Sequence, residues 1–132
     1  MKFSTKTTYG LRAMTWLARS YKAGGSVALS KIAKEQNISL SYLERIFSSI
    51  KKAGLIEAEM GASGGYRLVR SPEKIKILEI VEALEGRISP FRCIKGGGEV
   101  ACQAGKFCEV PKVLVKVQEA VVETLDKMYL SD

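Results

Sequence analysis

Apolar and polar residues recur with a helical period between positions 29 and 54, in the stretch LSKIAKEQNISLSYLERIFSSIKKAG. The pattern predicts a short helix from Ser30 to about Gln36, a turn at Asn37-Ile38-Ser39, and a second helix that begins at Leu40 and ends near Gly54. The second helix collects its apolar residues on one face: Leu43, Ile46, Phe47 and Ile50. Two helices joined by so short a turn, the second with a polar and basic outer face, are typical of a helix-turn-helix, although an ordinary helical hairpin shares the pattern.

Three further helices are predicted around this stretch. The first runs to about Tyr21 and is apolar around most of its circumference, which indicates a central packing helix. Another is expected from Pro72 to Glu85. The last runs from Pro111 to about Leu130 and carries a narrow apolar stripe: Leu114, Val117, Val121, Leu125 and Met128. That stripe fits a seam against a long helix of a second subunit, with packing on its own domain as the alternative.

A change of period after Gly54 predicts a β-hairpin. Two alternating segments, Leu55–Met60 and Tyr66–Arg70, flank a glycine-rich tip at 61–65. A hairpin directly after a recognition helix is a wing, in which Glu57 and Glu59 are expected to face Arg67 or to point away from DNA. The predicted fold is mainly α with a small β-hairpin: a winged helix-turn-helix domain plus a long C-terminal dimerisation helix.

The positive charge is concentrated in the helix-turn-helix half of the chain. Residues 1–72 hold 12 Lys/Arg and 4 Asp/Glu, a balance of +8, whereas residues 73–132 hold 9 and 10, a balance of −1. Such a distribution is expected of a surface that meets a phosphate backbone, although a solvated basic face has the same composition. Lys2, Lys6 and Arg12 lie near the start of the first helix, where a helix N-terminus can bind a DNA phosphate.

Several functional classes are disfavoured by what the sequence lacks. It has no apolar run of 18 residues and no signal-peptide pattern, so we expect a soluble, cytoplasmic protein with no membrane contact. Histidine is absent, and neither a nucleophile–base pair nor a nucleotide-binding loop is present. An enzyme is therefore not expected.

All three cysteines lie in an aperiodic, glycine-rich segment between the last two helices: Cys93, Cys102 and Cys108. An odd number argues against a secreted disulfide framework. Zinc sites usually show paired Cys-x2–4-Cys spacing and four ligands, neither of which is present. Three thiolates suit an iron–sulfur cluster, which tolerates replacement of a cysteine ligand. Free or redox-active thiols are the alternative.

Four stretches together resemble a known family: STKTTYGLRAM, SLSYLERIFSSIKKAGLI, GASGGYRL and LEGRISPFRC. They are similar to the IscR/NsrR/CymR family of dimeric winged-helix transcription regulators, and specifically to its cluster-binding branch. The resemblance implies a DNA-binding domain at 1–85, a cluster-binding loop at 86–110 and a dimerisation helix at 111–132. It also implies a homodimer, and a 2Fe-2S or 4Fe-4S cluster held by Cys93, Cys102 and Cys108.

The sequence departs from the family pattern at the cluster and at the wing. The gap between the first two cysteines is longer than usual, Pro111 stands where some members have a histidine ligand, and the segment Thr7-Thr8-Tyr9 lacks the acidic ligand of others. The fourth ligand is therefore open: Glu109, Glu99, a residue of the partner subunit, or an exogenous thiol or water. At the wing, Met60 stands where some members have a minor-groove arginine, leaving Arg67 as the nearby substitute.

The sequence thus predicts a regulator whose affinity for a double-stranded DNA operator is controlled by an iron–sulfur cluster that senses iron–sulfur status, redox state or nitric oxide. We expect four residues to contact base edges: Ser41, Tyr42, Glu44 and Arg45. The other expected DNA contacts, chiefly to the backbone, are Lys6, Lys51, Lys52, Gly64, Gly65 and Arg67. The alternative is a cluster-free regulator of the same fold, controlled by a protein partner such as a metabolic enzyme or by thiol oxidation. The segment LEGRISP resembles members of that kind.

Overall fold

The computed structural model describes residues 3–62, 64–88 and 109–132 of the chain. Within these ranges the elements follow one another as five α-helices, a hairpin and one short 3₁₀ turn. They are α1 (Thr5–Tyr21), α2 (Leu29–Gln36), α3 (Leu40–Lys52), β1 (Ile56–Glu59), β2 (Gly65–Leu68), the 3₁₀ turn (Pro72–Lys74), α4 (Ile77–Glu85) and α5 (Val110–Lys127). The predicted fold class is confirmed. No helix in the described ranges is long and apolar enough to cross a membrane.

The predicted helix-turn-helix consists of α2 and α3. Asn37 follows α2 in the left-handed conformation, with φ of 53°, which its short polar side chain tolerates better than most. The Ser39 hydroxyl then caps α3 by accepting a hydrogen bond from the Tyr42 N–H at 3.4 Å. Both features lie in the turn that the sequence predicted at 37–39, and they set the direction in which α3 leaves it.

Helix α1 lies at the centre of the domain, as its apolar circumference predicted. It packs against α2, α3, α4 and β2. At Gly10 its backbone approaches α4 so closely that a Cβ would overlap the Leu84 side chain. The largest fully buried side chains come from α1, α2, α3, β1, α4 and the residues just before β1 and α4: Met14, Ile32, Leu43, Ile46, Phe47, Ile50, Leu55, Ile56, Ile75, Ile80 and Val81.

The predicted wing is an antiparallel hairpin in which Glu57 pairs with Arg67 and Glu59 with Gly65. A third segment joins it, because Val27 forms an antiparallel bridge with Tyr66. The Tyr66 ring also meets Phe47 of α3 edge-on, at a centroid distance of 5.1 Å. The wing is therefore held to the start of α2 and to the recognition helix.

Two predicted helix boundaries were wrong for one shared reason. The helix expected at 72–85 is interrupted, since Ile75 is extended and α4 begins only at Ile77. The last helix ends at Lys127 rather than near Leu130, and Met128 is extended. The two extended segments pair: Ile77 donates to the Met128 carbonyl at 2.9 Å, and Leu130 donates to the Ile75 carbonyl at 2.8 Å. A contact between distant segments thus overrides helical periodicity in both.

Candidate nucleic-acid interface

The outer face of α3 presents polar and charged side chains over its whole length. Ser41, Glu44 and Arg45 are exposed in its first half, and Lys51 and Lys52 in its last turn. The opposite face is buried in the core. Five of the residues that the sequence assigned to DNA therefore share one exposed, uninterrupted surface.

Tyr42 differs from the other residues assigned to base edges, because it is half-buried. Its ring packs edge-on against Tyr9 of α1, with centroids 5.8 Å apart. Arg12 lies over the other ring of this pair, 5.6 Å from the Tyr9 centroid, and donates from Nη2 to the Gln36 carbonyl at 3.0 Å. Arg12 thus binds the end of α2 in the free protein.

Arg67, predicted to contact DNA from the wing, is already paired within the wing. Its guanidinium lies 2.6 Å from Glu57 Oε1 and 2.9 Å from Glu59 Oε1. The expectation that the two glutamates face Arg67 across the hairpin is confirmed. With one positive and two negative side chains, strands β1 and β2 together carry a net charge of −1. Beyond them Met60 extends from the hairpin with 96% of its surface exposed.

Gly64 and Gly65, assigned to phosphate contact through their backbone, are required by packing. A Cβ at residue 64 would overlap the Glu59 carbonyl oxygen, and one at residue 65 would overlap the Val27 carbonyl oxygen. Gly64 also donates its N–H to the Gly61 carbonyl at 3.0 Å. The glycines therefore allow the hairpin to close and to dock on Val27, whatever they do on DNA.

A protein carboxylate lies at the N-terminus of α1, so a DNA phosphate bound there, as the sequence predicted, would meet a negative charge. Glu85, the last residue of α4, accepts hydrogen bonds from the Ser4 hydroxyl, from the Thr7 hydroxyl at 2.6 Å and from the Ser4 N–H at 2.9 Å. The hydrogen bonds from Ser4 and Thr7 lower the pKa of the Glu85 carboxyl. Lys6, next to this cap, is half-buried and has a favourable electrostatic interaction with the same carboxylate.

The candidate cluster ligands Cys93, Cys102 and Cys108, together with Glu99, lie outside the described residues. The candidate fourth ligand Glu109 is described: its carboxylate is exposed and lies 2.5 Å from Lys112 Nζ. In residues 3–62, 64–88 and 109–132, no three acidic side chains converge on a point that could hold a metal ion.

Helix α5 leaves much of its apolar surface uncovered. Val113 is 62% exposed and Val117 is 37% exposed. Val121 lies one further turn along the same side of the helix and is half-buried. The inner side packs against α4. Of the predicted apolar stripe, Val117 is therefore exposed, Leu114, Val121 and Leu125 are half-buried, and Met128 lies beyond the end of the helix.

Comparisons with known proteins assign this architecture to one family. The family model described as "Rrf2: Iron-dependent Transcriptional regulator" matches residues 3–132. The chain belongs to the Rrf2 family. Its members are transcriptional regulators, which agrees with the expectation that the chain is not an enzyme.

Similar Rrf2 proteins include both IscR and CymR regulators. IscR of Cereibacter sphaeroides is 44% identical over 90 residues, which cover 67% of this chain and 58% of that relative. The structure of CymR, "the Global Cysteine Regulator of B. subtilis", is 36% identical with a TM-score of 0.82, covering 100% of this chain and 95% of the other. The structure of T. potens IscR is 36% identical with a TM-score of 0.80, covering 100% and 85%. The resemblance to the family that was stated from the sequence motifs is confirmed.

Proposed function

We propose that this Rrf2 protein is a homodimeric transcriptional regulator that reads a two-fold DNA site with α3 of each subunit. The observation that carries the proposal is the continuous exposed face of α3, on which hydrogen-bonding and basic side chains follow one another above a buried apolar face. Winged-helix and helix-turn-helix proteins place such a face in the major groove.

Residues in the first half of α3 are suited to base edges. Arg45 can donate two hydrogen bonds to guanine, and Glu44 can accept one from a cytosine amino group. Ser41 can pair with either kind of base edge, but in the free protein its hydroxyl lies 3.0 Å from that of Ser39. Tyr42, whose ring packs on Tyr9, is suited to hold the angle of α3 and to offer only its hydroxyl edge to DNA.

Phosphate contact is proposed for Lys51 and Lys52 at the end of α3, with Lys6 as a further basic group. Arg67 would have to give up its bonds to Glu57 and Glu59 to bind a phosphate, so we expect it to contribute little to affinity. The wing would then approach DNA with Met60 and the backbone of its tip rather than with charge.

Dimerisation is proposed through the apolar stripe of α5, because valines that stay in water give up the free energy that burial would provide. Each buried methylene contributes about 0.8 kcal/mol, so a seam of several valines and leucines from two subunits can hold a dimer. The two-fold symmetry of such a dimer matches a near-palindromic DNA site.

Control by an iron–sulfur cluster is proposed from the donor set. Three thiolates in one segment suit iron, and the family is described as iron-dependent. When bound, a cluster supplies iron–thiolate bonds and a redox-active centre. The chain would hold it with Cys93, Cys102 and Cys108, and Glu109, which pairs with Lys112 in the free protein, is the candidate fourth ligand. Control by a protein partner or by thiol oxidation is the second candidate, favoured by the full-length similarity to CymR.

The recognition face can be tested with two substitutions that make different predictions. A duplex is first selected from a random library by the full-length chain, and binding is measured over a range of salt concentrations. Arg45→Ala should weaken binding to the selected duplex and relax the preference at one base pair by about 1–3 kcal/mol. Lys51→Ala should weaken binding to all DNA sequences alike. It should also reduce the slope of log affinity against log salt concentration by about one.

Glu35→Gln, on the exposed side of α2, serves as the control and should bind as the wild type does. If neither Arg45→Ala nor Lys51→Ala changes binding, the assigned face is wrong. If the chain selects no duplex at all, the proposed function fails.

A further inference from the structure

Leu40 is the exposed apolar residue of the recognition helix. It is the first residue of α3 and 43% of its surface is exposed, whereas the helix's other leucine, isoleucine and phenylalanine residues are buried. A leucine left in water gives up the transfer free energy that burial would provide. Its apolar side chain therefore contributes little to the core of the free protomer.

The helical geometry places Leu40 beside residues that are proposed to contact DNA. With 3.6 residues per turn, Leu40 lies about 40° around the axis from Glu44 and about 20° from Lys51. Both of those residues are exposed. Leu40 is thus at the edge of the exposed face and at its N-terminal end, the part of a recognition helix that contacts base edges.

The polar groups around Leu40 are occupied by the cap. The Ser39 hydroxyl accepts from the Tyr42 N–H at 3.4 Å and lies 3.0 Å from the Ser41 hydroxyl. These bonds fix the first turn of α3 and hold the backbone of Leu40 in place. Leu40 consequently places an apolar side chain at a defined position on the first turn of α3.

The major groove offers one apolar group to such a side chain, the C5 methyl of thymine. We propose that Leu40 is a specificity-determining residue that packs against a thymine methyl in each half-site. The proposal rests on the proposed function, in which α3 lies in the major groove. One helical turn is about 5.4 Å and one base step about 3.4 Å, so the thymine should lie one or two base pairs from the base that Glu44 reads.

Deoxyuridine tests the proposal directly, because it lacks only the methyl group of thymine. The duplex selected by the full-length chain is prepared with each thymine replaced in turn by deoxyuridine, and the affinities of the wild type and of Leu40→Ala are compared. We expect one thymine per half-site at which the replacement weakens the wild type by about three- to tenfold. Leu40→Ala should bind the thymine and deoxyuridine duplexes at this position equally well.

Two further variants make the comparison specific. Leu40→Met keeps an apolar side chain of similar length and should retain most of the deoxyuridine effect. Val69 lies outside α3 and is 49% exposed. Val69→Ala removes two methyl groups there and should retain the whole deoxyuridine effect. Helical content and oligomeric state should be unchanged in each variant, since neither position belongs to the core.

The proposal is overturned if no thymine in the half-site shows a methyl effect with the wild type, or if Leu40→Ala keeps that effect. Either result leaves the proposed function intact as long as Arg45→Ala and Lys51→Ala weaken binding. If those two variants also bind as the wild type does, the recognition face itself is wrong, and the proposed function fails with it.

Discussion

Gly65 of β2 lies directly against the backbone of Val27, so closely that a Cβ at residue 65 would fall well inside 3.0 Å of the Val27 carbonyl oxygen. The next residue closes the contact with two hydrogen bonds: Val27 donates to the Tyr66 carbonyl at 2.9 Å, and Tyr66 donates to the Val27 carbonyl at 2.8 Å. This contact ties the wing to the segment that leads into α2. The glycine at 65 is explained by that close approach.

Gly65→Ala should therefore destabilise the protein by about 1–3 kcal/mol, because the backbones of Val27 and Gly65 must separate to admit the methyl group. The measurement is urea unfolding at one fixed protomer concentration, since a dimer's stability depends on concentration. Gly25→Ala is the matched control: nothing lies within 4 Å of its Cβ position, so its stability should change by less than about 1 kcal/mol. Equal effects of the two substitutions would contradict the close approach.

Glu85→Gln should lower stability near neutral pH by about 1 kcal/mol, once the exposure of the carboxylate is allowed for. The charged carboxylate accepts three hydrogen bonds from Ser4 and Thr7, and a neutral amide oxygen accepts them less strongly. Thermal unfolding of the two proteins at a series of pH values measures the difference.

The pH dependence of that difference has a definite sign. The pKa of Glu85 is lowered in the folded protein from its ordinary value of 4.5, so its contribution is fully present above that value. It is lost as the pH falls through the lowered pKa, and the wild type and Glu85→Gln should converge in acid. Glu82→Gln, an exposed position one turn earlier in α4, should show no comparable difference. A gap between wild type and Glu85→Gln that widens in acid would refute the cap.

Replacing Val117 and Val121 together with lysine should convert the dimer into monomers with poor DNA affinity. The two charges would lie in the apolar stripe of α5, where the partner helix would have to bury them. Sedimentation at micromolar concentration gives the oligomeric state. Glu119→Lys, on the opposite side of the same helix, should remain dimeric. A wild-type protein that sediments as a monomer would end the dimer proposal.

Serine replacement of any one of Cys93, Cys102 and Cys108 should give nearly colourless protein with unchanged helical content after anaerobic addition of iron and sulfide. Each replacement leaves too few soft ligands to hold a cluster. Visible absorption together with iron and sulfide content measures the loss. A wild-type protein without visible absorption would exclude the cluster and leave thiol oxidation or a protein partner as the means of control.

The fourth ligand can be examined by comparing Glu109→Ala with Lys112→Ala. Both substitutions break the 2.5 Å ion pair between these residues, but only the first removes the carboxylate. If Glu109 is a ligand, Glu109→Ala should lose its cluster to chelators faster than the wild type, and Lys112→Ala should not. Equal behaviour of all three proteins would place the fourth ligand elsewhere.

Local signals were sufficient to predict the helix-turn-helix and the wing. The turn at Asn37-Ile38-Ser39 and the apolar spacing of α3 depend on neighbours in sequence, and both were confirmed. The pairing of Glu57 and Glu59 with Arg67 was also predictable, because alternate residues of facing strands lie on the same side of a hairpin.

Contacts between distant segments were not predictable in the same way. Nothing near Gly65 in sequence indicates that Val27 will lie against it, so its backbone was assigned to phosphate. The approach of Glu85 to Ser4 joins two ends of the domain, and the pairing of Ile75 with Leu130 ends α5 early. In each case a long-range contact gives a residue a structural role that its local pattern did not indicate. The exposure of Leu40 was missed for a related reason, since an apolar residue at a helix start is normally assigned to the core.

The pairing of Leu130 with Ile75 has a mechanical consequence for a dimer. It anchors the end of α5 to the start of α4, the helix against which α5 also packs. In the proposed dimer, the point at which the two α5 helices cross would therefore set the separation of the two recognition helices. The position of the crossing point along α5 would then determine the spacing between the two half-sites of the operator. Insertion or deletion of residues in α5 that moves the crossing point by one turn should change the preferred spacing.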